Sequence, residues 1–389
     1  MNRYIAKLDR KIKKGEIEME KAKVYYSDFR AKPGLNLLDK LKRLMKKAGI
    51  EDIDFEEKFV AIKIHFGEPG NLSFLRPNYA KVVADLVKEL GGRPFLTDCN
   101  TLYIGRRKNA LDHIEAAYEN GFTPLSTGCQ VIIADGLKGT DETIVPINLE
   151  YIKEAKIGHA LMDADIVISL THFKGHECTG FGGALKNIGM GGGSRAGKME
   201  MHNAGKPQVN SKNCRSCGAC AKICAHSAIS FDENKKAHID HNKCVGCGRC
   251  IGTCNFNAIR AMNDETNDIL NAKIAEYTYA IIKDRPHFHV SLVMDVSPNC
   301  DCHSENDAPI IPDVGMFASF DPVALDQACA DMANQQTAIT NSNLGEQIAK
   351  HVEAEDNFCI NHPDTNWKTC LSHAEKIGLG TREYELIKV

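Results

Sequence analysis

Short apolar runs alternate with amphipathic stretches along most of this chain. The apolar runs cover residues 59–64, 94–97, 131–134, 166–170 and 290–296. Runs of this length, bounded by polar or turn-forming residues, predict buried strands. Helical periodicity between the runs predicts helices over residues 79–90, 110–120 and 151–156. The alternation favours an α/β fold with a layered, mainly parallel sheet.

Chemically reactive side chains follow several of the predicted strands. In open α/β sheets the loops beyond the carboxyl ends of the strands gather polar groups over one crevice, where ligands bind. The candidate catalytic residues are His65 after the first strand, Asp98 after the second, and His172, Lys174 and His176 after the fourth. Histidines in such a loop bind metals or exchange protons, although a lone histidine is more often structural.

A glycine-rich segment follows the fourth strand and reads KGHECTGFGGALKNIGMGGG from residue 174 to residue 193. Glycine backbone at a helix N-terminus presents N–H donors to an anion. The candidate cofactor-binding residues are therefore Gly180, Gly182, Gly183 and Lys186. The segment matches neither a Walker loop nor the G-x-G-x-x-G dinucleotide fingerprint. Glycines that serve only turns and close packing are the alternative interpretation.

A second group of soft ligands lies further along the chain at Cys300, Cys302 and His303. These residues are able to bind an additional metal, alone or with Cys178, or to act as a redox pair. Unpaired structural thiols are the alternative, because a C-x-C pattern is weak evidence by itself.

The most specific signal is a block of eight cysteines in two units of the form C-x2-C-x2-C-x3-C, thirty residues apart. The spacing is that of a two-cluster 4Fe–4S ferredoxin, in which three thiolates of each unit bind one cluster and the fourth binds the other. The predicted ligands of the first cluster are Cys214, Cys217, Cys220 and Cys254. Those of the second are Cys244, Cys247, Cys250 and Cys224. Zinc is the alternative, but zinc sites usually combine two separate C-x2-C pairs.

The position of this block predicts the domain organisation. It lies between the fourth and fifth predicted strands, as expected of an inserted α+β ferredoxin-like domain over residues 209–262. Residues 22–208 and 263–389 then form the two parts of the α/β domain, and residues 1–21 form a charged extension. Asp321 and Pro322 have the pattern of an N-cap and first residue of a helix.

Charge narrows the classes of partner. The 389 residues carry 48 Lys and Arg against 51 Asp and Glu, so no net field favours nucleic acid or an anionic membrane. Residues 211–260, however, contain eight basic residues and three acidic ones. This excess of positive charge has three interpretations. It compensates the negative charge of the clusters, it binds an acidic electron donor of the ferredoxin or flavodoxin class, or it is a solvent-exposed surface without a partner. The charged start of the sequence and the lack of a long apolar run predict a cytoplasmic protein.

Several strings together resemble one known family. They are IKIHFGEPGN, FLTDCNTLYIGRR, NGFTPLSTGCQVIIADGLKG, THFKGHECTGFGGALKNIGMG, PNCDC and ASFDPVALDQACADM. They resemble the uncharacterised iron–sulfur proteins of the domain of unknown function 362, in the subgroup with an inserted two-cluster ferredoxin. The resemblance spans nearly the whole chain after about residue 22. It implies that the ferredoxin unit is an insertion and that the strand-end motifs are family features, but it implies no reaction.

The sequence therefore predicts an iron–sulfur oxidoreductase. Its clusters would pass single electrons to a substrate or cofactor held over the sheet. The lysines at the strand ends indicate that such a substrate is anionic. Two alternatives involve no catalysis by this chain. In one, the chain is a ferredoxin-like electron carrier whose α/β part binds a partner protein. In the other, the α/β part handles a metal or cofactor while the clusters sense redox state.

Overall fold

A computed structural model of the chain describes residues 21–389 except for 103–104, 203–205, 225, 245–248, 255, 257, 262–266 and 353. Its strands, in chain order, are β1 (Ala22–Ser27), β2 (Phe59–Lys63), β3 (Arg93–Asp98), β4 (Gln130–Ile133), β5 (Glu142–Pro146), β6 (Glu154–Gly158), β7 (Ile166–His172), β8 (Lys174–His176), β9 (Gly180–Gly182), β10 (Pro207–Val209), β11 (Ile229–Phe231), β12 (Ala237–Ile239), β13 (Ile259–Ala261), β14 (His287–Val293), β15 (Gly315–Ser319) and β16 (Tyr384–Lys388).

The helices complete the description of the regular structure. They are α1 (Leu37–Lys47), α2 (Pro77–Glu89), α3 (Ala110–Glu119), α4 (Pro124–Thr127), α5 (His159–Asp163), α6 (Ala184–Gly192), α7 (Arg195–His202), α8 (Ala219–Ile223), α9 (Arg249–Thr253), α10 (Asn267–Ile282), α11 (Pro322–Asn334), α12 (Asn343–Ala349), α13 (Asn357–Asn361) and α14 (Lys368–Lys376), with a 3-10 turn at Ile50–Asp52. None of the helices within these described ranges has both the length and the apolar character needed to span a lipid bilayer.

A large sheet in the order β16-β1-β15-β14-β7-β2-β3-β4 forms the centre of the molecule. Strand β15 runs antiparallel to both of its neighbours, whereas the other pairings in this sheet are parallel. The predicted α/β fold with a mainly parallel sheet is thus confirmed. The five strands predicted from apolar runs correspond to β2, β3, β4, β7 and β14.

Helices cover both faces of the inner strands of the sheet, which explains why β2 and β7 are mainly buried along their length. On β2, Ala61 packs into an apolar cluster with α6, α10 and α11, whereas Val60 and Ile62 pack into another with α1 and α2. On β7, Val167 and Ile168 divide between the two clusters in the same way. Successive side chains of a strand point to opposite faces, so every position becomes buried when helices cover both.

The helix predicted over residues 151–156 is wrong. Residues Glu154–Gly158 instead form β6, which pairs antiparallel with β5. Ala155 and Ile157 are buried, whereas Glu154 is exposed and Lys156 lies between these extremes. This period of two is that of a strand with one covered face, and the segment is too short for helical periodicity to be told apart from it.

The helix predicted to start at Asp321 is confirmed. The carboxylate of Asp321 accepts hydrogen bonds from the N–H groups of Val323 at 2.8 Å and Ala324 at 3.0 Å, and Pro322 is the first helical residue. The cap satisfies N–H donors that have no partner within the helix.

Residues 206–261, here called the cysteine segment, form two small antiparallel pairs, β10 with β13 and β11 with β12, together with α8 and α9. The two halves have matching contacts: Asn210 N–H donates to Ala258 O at 2.7 Å, and Asp240 N–H donates to Ala228 O at 2.8 Å. Each of these hydrogen bonds joins one half of the segment to the other, so the two cysteine units pack together. Cys247 lies outside the described residues, as does nearly all of the predicted extension over residues 1–21. The domain limits stay a prediction.

Candidate functional site

A cleft with about 550 Å³ of empty space, part of it open to solvent, lies at the carboxyl ends of β2, β3 and β7. His65, Asp98 and Lys174 line it, together with Gly182, Gly183 and Lys186 of the glycine segment. Parallel strands bring their carboxyl ends to one edge, which is why residues distant in sequence meet here. The cations among the described lining residues are Lys63, Arg107, Lys174, Lys186 and Lys198. Asp98 is the carboxylate among them, so the cleft has the charge to receive an anion.

A network of buried charges forms one wall of the cleft. Lys63, the last residue of β2, places its Nζ 2.9 Å from Oδ1 of Asp98 at the end of β3. Arg107 lies 3.7 Å from Oδ2 of Asp98, and its Nε donates to Glu68 at 2.9 Å. Burial by itself raises the pKa of Asp98, but the surrounding positive charges, led by Lys63, hold that pKa below its usual range. Asp98 is therefore an ionised carboxylate that positions two cations.

His65 faces two hydrogen-bond donors. Gly67 N–H donates to its Nδ1 at 3.1 Å, and Nη1 of Arg107 lies 3.1 Å from its Nε2. Burial, reinforced by the charge of Arg107, lowers the pKa of His65 well below its ordinary value. The ring is therefore uncharged, and because a neutral imidazole accepts at one nitrogen, it accepts one of these two hydrogen bonds.

His172 and Lys174 share one buried carboxylate. Nδ1 of His172 lies 2.9 Å from Oδ2 of Asp301, and its Nε2 lies 2.8 Å from Met294 O. Lys174 places its Nζ 3.1 Å from the same Oδ2 of Asp301. Burial opposes ionisation of Asp301, yet the charges of His172 and Lys174 keep its pKa below the usual range. His172 is thus fixed by Asp301 but is not among the described residues that line the cleft, whereas Lys174 is anchored by the same carboxylate and lines it.

The orientation of His176 is fixed by backbone donors. The N–H groups of Cys178 and Thr179 donate to its Nδ1 at 3.0 and 3.2 Å. A neutral imidazole that accepts at Nδ1 carries its proton at Nε2. That Nε2 lies 3.8 Å from Oε1 of Glu177, so His176 presents a donor toward the acidic side of the site.

Cys300 has the surroundings of a thiolate. Lys186 Nζ donates to its Sγ at 3.6 Å. A hydrogen bond with Cys302 lowers the pKa of the Cys300 thiol well below its usual value, and Lys186 and His176 add to this shift. The same hydrogen bond raises the pKa of Cys302. The two sulfurs therefore form a thiol–thiolate pair, with Lys186 as the counter-ion.

Glu177, Cys302 and His303 bring one ligand atom each to within 4.8 Å of one another. His303 Nε2 lies 3.0 Å from Oε1 of Glu177, and this hydrogen bond raises the pKa of His303 to about 9. The second carboxylate oxygen of Glu177 is buried and has no hydrogen-bond partner. Carboxylate, thiolate and imidazole are all metal ligands, so the described residues contain a potential metal-binding group here.

The N-terminus of α6 is capped by a carboxyl group of the chain itself. The side-chain oxygens of Asp326 accept hydrogen bonds from the N–H groups of Ala184 at 2.7 Å and Leu185 at 2.9 Å. A Cβ at Gly183 would lie 2.4 Å from this carboxylate, so the glycine permits the close approach. The donors proposed for an external anion are thus occupied by Asp326.

The other residues of the glycine segment have separate roles. Gly180, the first residue of β9, adopts φ +80°, a conformation that favours glycine, and it lies against Trp367. Gly182 leaves open space beside the side chains of Lys174 and Lys186, with a Cβ at 3.5 Å or more from either. The segment therefore shapes the cleft and admits lysine side chains to it.

Three important residues do not follow from the sequence motifs. Lys63 lies in an otherwise apolar strand, and a lysine in a run that is predicted to be buried indicates a functional or ion-pairing role. Asp301 lies between the two cysteines of a recognised group. Arg107 lies in a loop between β3 and α3 with no local pattern, so only the fold reveals its contact with Asp98.

The cysteine segment packs against the same loop. Leu102 and Met199 lie in one apolar cluster with Cys214, Cys220 and Cys254. Next to Arg107 in sequence, Lys108 turns toward this cluster. Burial lowers the pKa of Lys108, and an electrostatic interaction with Cys254 opposes that shift, which places the two groups near each other. One loop thus touches the cleft and the cysteine segment.

Residues 60–331 match the family described as "Domain of unknown function (DUF362)". The chain belongs to this family. A curated relative is the "Thylakoid-associated protein sll1697" of Synechocystis sp., which is 29% identical over 120 residues. That match covers 31% of this chain and 34% of the relative, so it spans about a third of the relative's length.

Solved structures are similar only distantly. The lactate racemase apoprotein from Thermoanaerobacterium thermosaccharolyticum matches with a TM-score of 0.40 and 12% identity, over 70% of this chain and 51% of that one. A protein from Thermotoga maritima matches with a TM-score of 0.41 and 12% identity, over 79% and 61% of the two chains.

Proposed function

We propose that this protein is an oxidoreductase that carries two 4Fe–4S clusters in the cysteine segment and delivers single electrons to an anionic substrate or cofactor in the cleft. The observation that carries the proposal is the loop around Arg107 and Lys108, which contacts the cleft on one side and the cysteine segment on the other. Two neighbouring residues thereby connect the site of electron storage with the site of binding.

The described part of the cysteine segment fits such clusters. The backbone N–H of Ala228 donates to Cys224 Sγ at 3.4 Å, and that of Ala258 donates to Cys254 Sγ at 3.3 Å. Hydrogen bonds to cluster sulfurs are among the means by which proteins tune the reduction potential. The fifteen cysteines that the structure describes are free of disulfides, which leaves the thiolates available for iron. Bound clusters would supply one-electron chemistry, and the buried side chains of Ile251 and Ala258 pack in the same apolar core as Cys214 and Cys220.

The cleft supplies what an anionic acceptor needs. Lys174 is anchored by Asp301 and Lys186 by Cys300, so both ammonium groups are held in place before a ligand arrives. Preorganised cations stabilise negative charge as it develops during reduction. The two lysines would orient the acceptor and supply a proton to it. His176 lies outside the lining of the cleft and forms a hydrogen bond with Cys300.

The first experiment is anaerobic purification followed by iron and labile-sulfide analysis and EPR of the reduced protein. Two 4Fe–4S clusters predict about eight iron and about eight sulfide per chain and a pair of interacting signals. Zinc in place of iron and sulfide would overturn the electron-transfer proposal.

The second experiment tests the cleft. Mass spectrometry of small molecules retained by the protein supplies anionic candidates, and their ability to reoxidise the reduced clusters is then measured. Lys186→Met should slow this reoxidation by ten-fold or more while cluster content stays constant. Lys350→Met is the control, because Lys350 is exposed beside Glu346 on α12. Equal rates in both variants would show that electrons leave elsewhere, as in a simple electron carrier.

A further inference from the structure

We infer that Glu177, Cys302 and His303 bind a divalent transition metal whose fourth coordination position opens into the cleft. This site is separate from the eight cysteines of the proposed clusters, and it stands whether or not those clusters pass electrons to the cleft.

The ligand atoms already converge. One atom from each residue lies within 4.8 Å of the others, a spread that needs only small side-chain movements to close around a metal. The 3.0 Å contact between His303 Nε2 and Glu177 Oε1 is a hydrogen bond across the place where an ion would lie. Metal binding would displace the proton of this contact and that of the Cys302 thiol, as it does whenever such ligands are taken up.

The chain leaves a buried acceptor at the site. Oε2 of Glu177 is buried and no described group donates to it. A buried carboxylate oxygen without a partner is costly in a folded protein, and a bound cation is one of the ordinary explanations. The backbone around His303 is also fixed, because Asn71 Nδ2 donates to His303 O at 2.9 Å.

The donor set selects the metal. One thiolate, one imidazole and one carboxylate suit zinc, iron(II) and cobalt(II) better than magnesium or calcium, which prefer oxygen alone. Two anionic ligands neutralise a dication. Charge therefore does not require a further anionic ligand from the chain, and Cys300 stays paired with Lys186 at 3.6 Å.

Cys302 connects this group to the cleft, because it lines the cleft beside Cys300 and Lys186. Glu177 and His303 lie outside that lining, with side chains 35% and 37% exposed. Three protein ligands with one accessible position are the arrangement of catalytic metal sites, while structural zinc sites are closed by four. The ligand that the fourth position would take is a small anion or an anionic group of a substrate.

The test begins with anaerobically purified full-length protein. Total metal is compared with labile sulfide, and the site predicts about one metal ion per chain beyond those that accompany sulfide. Mild chelation should remove this ion while the cluster absorption stays, and Co²⁺ should then restore it with thiolate-to-cobalt absorption. Metal that always follows sulfide in proportion, or stripped protein that gives no cobalt spectrum, would overturn the inference.

Variants assign the ion to its ligands. Cys302→Ser and His303→Gln should each weaken Co²⁺ binding by at least ten-fold, whereas Cys359→Ser is the control, since Cys359 is a half-buried cysteine on α13 outside the group. Circular dichroism verifies folding, and if one variant fails to fold, the other decides. Unchanged cobalt binding in a folded ligand variant would refute the site.

The open position has its own readout. Azide added to the cobalt form should shift the visible cobalt bands, because a small anion can reach the fourth position from the cleft. An unchanged spectrum at saturating azide would contradict the open position.

Discussion

The ion pair between Lys63 and Asp98 is almost completely buried, with side chains 1% and 4% exposed. Removing the partner of a buried charge usually costs about 3–5 kcal/mol, and here Arg107 remains 3.7 Å from Asp98. Lys63→Met should therefore reduce the free energy of unfolding by up to about that amount, measured by chemical denaturation. Lys81→Met is the control, since Lys81 pairs with Asp85 at the surface and such pairs contribute under about 1 kcal/mol. Similar losses in both variants would contradict this account of Lys63.

Asp326 makes stability depend on pH. Burial raises the pKa of Asp326 from 3.8 to about 7, with a smaller contribution from the nearby Asp321, while the Leu185 and Ala184 N–H groups oppose the rise. The folded state therefore binds a proton more tightly than the unfolded state does. Its stabilising contribution is complete below pH about 4 and is lost as pH rises to about 7.

Asp326→Asn removes this titration. Relative to the variant, the wild-type protein should lose up to about 4 kcal/mol of unfolding free energy between pH 4 and pH 7. Denaturant titrations of both proteins across this range measure the difference. A difference that is constant with pH would show that Asp326 is ionised throughout.

At the scale of the element, the start of α6 depends on one missing side chain. A Cβ at Gly183 would lie 2.4 Å from Oδ1 of Asp326, whereas a Cβ at Gly182 would lie in ordinary contact at 3.5 Å. Gly183→Ala should therefore displace the capping carboxylate and destabilise the protein by about 1–3 kcal/mol. Gly182→Ala is the adjacent control and should have little effect in thermal denaturation. Equal melting temperatures for the two variants would exclude this steric explanation.

The strands also show which elements of the fold can be predicted from the sequence. The five apolar runs form strands of the central sheet, whose inner strands are covered on both faces. Phe59 and Ile132 are nevertheless 53% and 42% exposed, so burial follows the apolar pattern over most of these runs but not at every position. The helix predicted over residues 151–156 is wrong because the five-residue strand that begins at Glu154 has too few positions to define a period. Its partner β5 decides the conformation, and pairing between segments is invisible to a local pattern.

At the scale of the whole molecule, the cysteine segment and the α/β part meet at Lys108. If the proposed clusters are present, the one bound by Cys254 lies nearer to this ammonium group than the other. Positive charge near a cluster favours its reduced state. Lys108→Met should lower the reduction potential of one of the two clusters, as measured by an EPR-monitored redox titration.

The second cluster is the internal reference for this titration. Lys350→Met, distant from the segment, should leave both potentials unchanged. Equal shifts of both clusters in Lys108→Met would show that Lys108 does not distinguish between them.

The sequence by itself determined the features that depend on neighbours along the chain. The spacing of the eight cysteines, the cap at Asp321 and the apolar runs are local patterns, and His65, Asp98 and Lys174 were identified because strand ends are readable in sequence. Only the tertiary structure decided which charges meet. Asp301 joins His172 to Lys174, Arg107 reaches Asp98, and Asp326 fills the helix terminus that the glycines suggested for a ligand. These partners are separated in the chain by up to about 140 residues. Electrostatic attraction depends on distance in space, so such pairs produce no periodic pattern in the sequence.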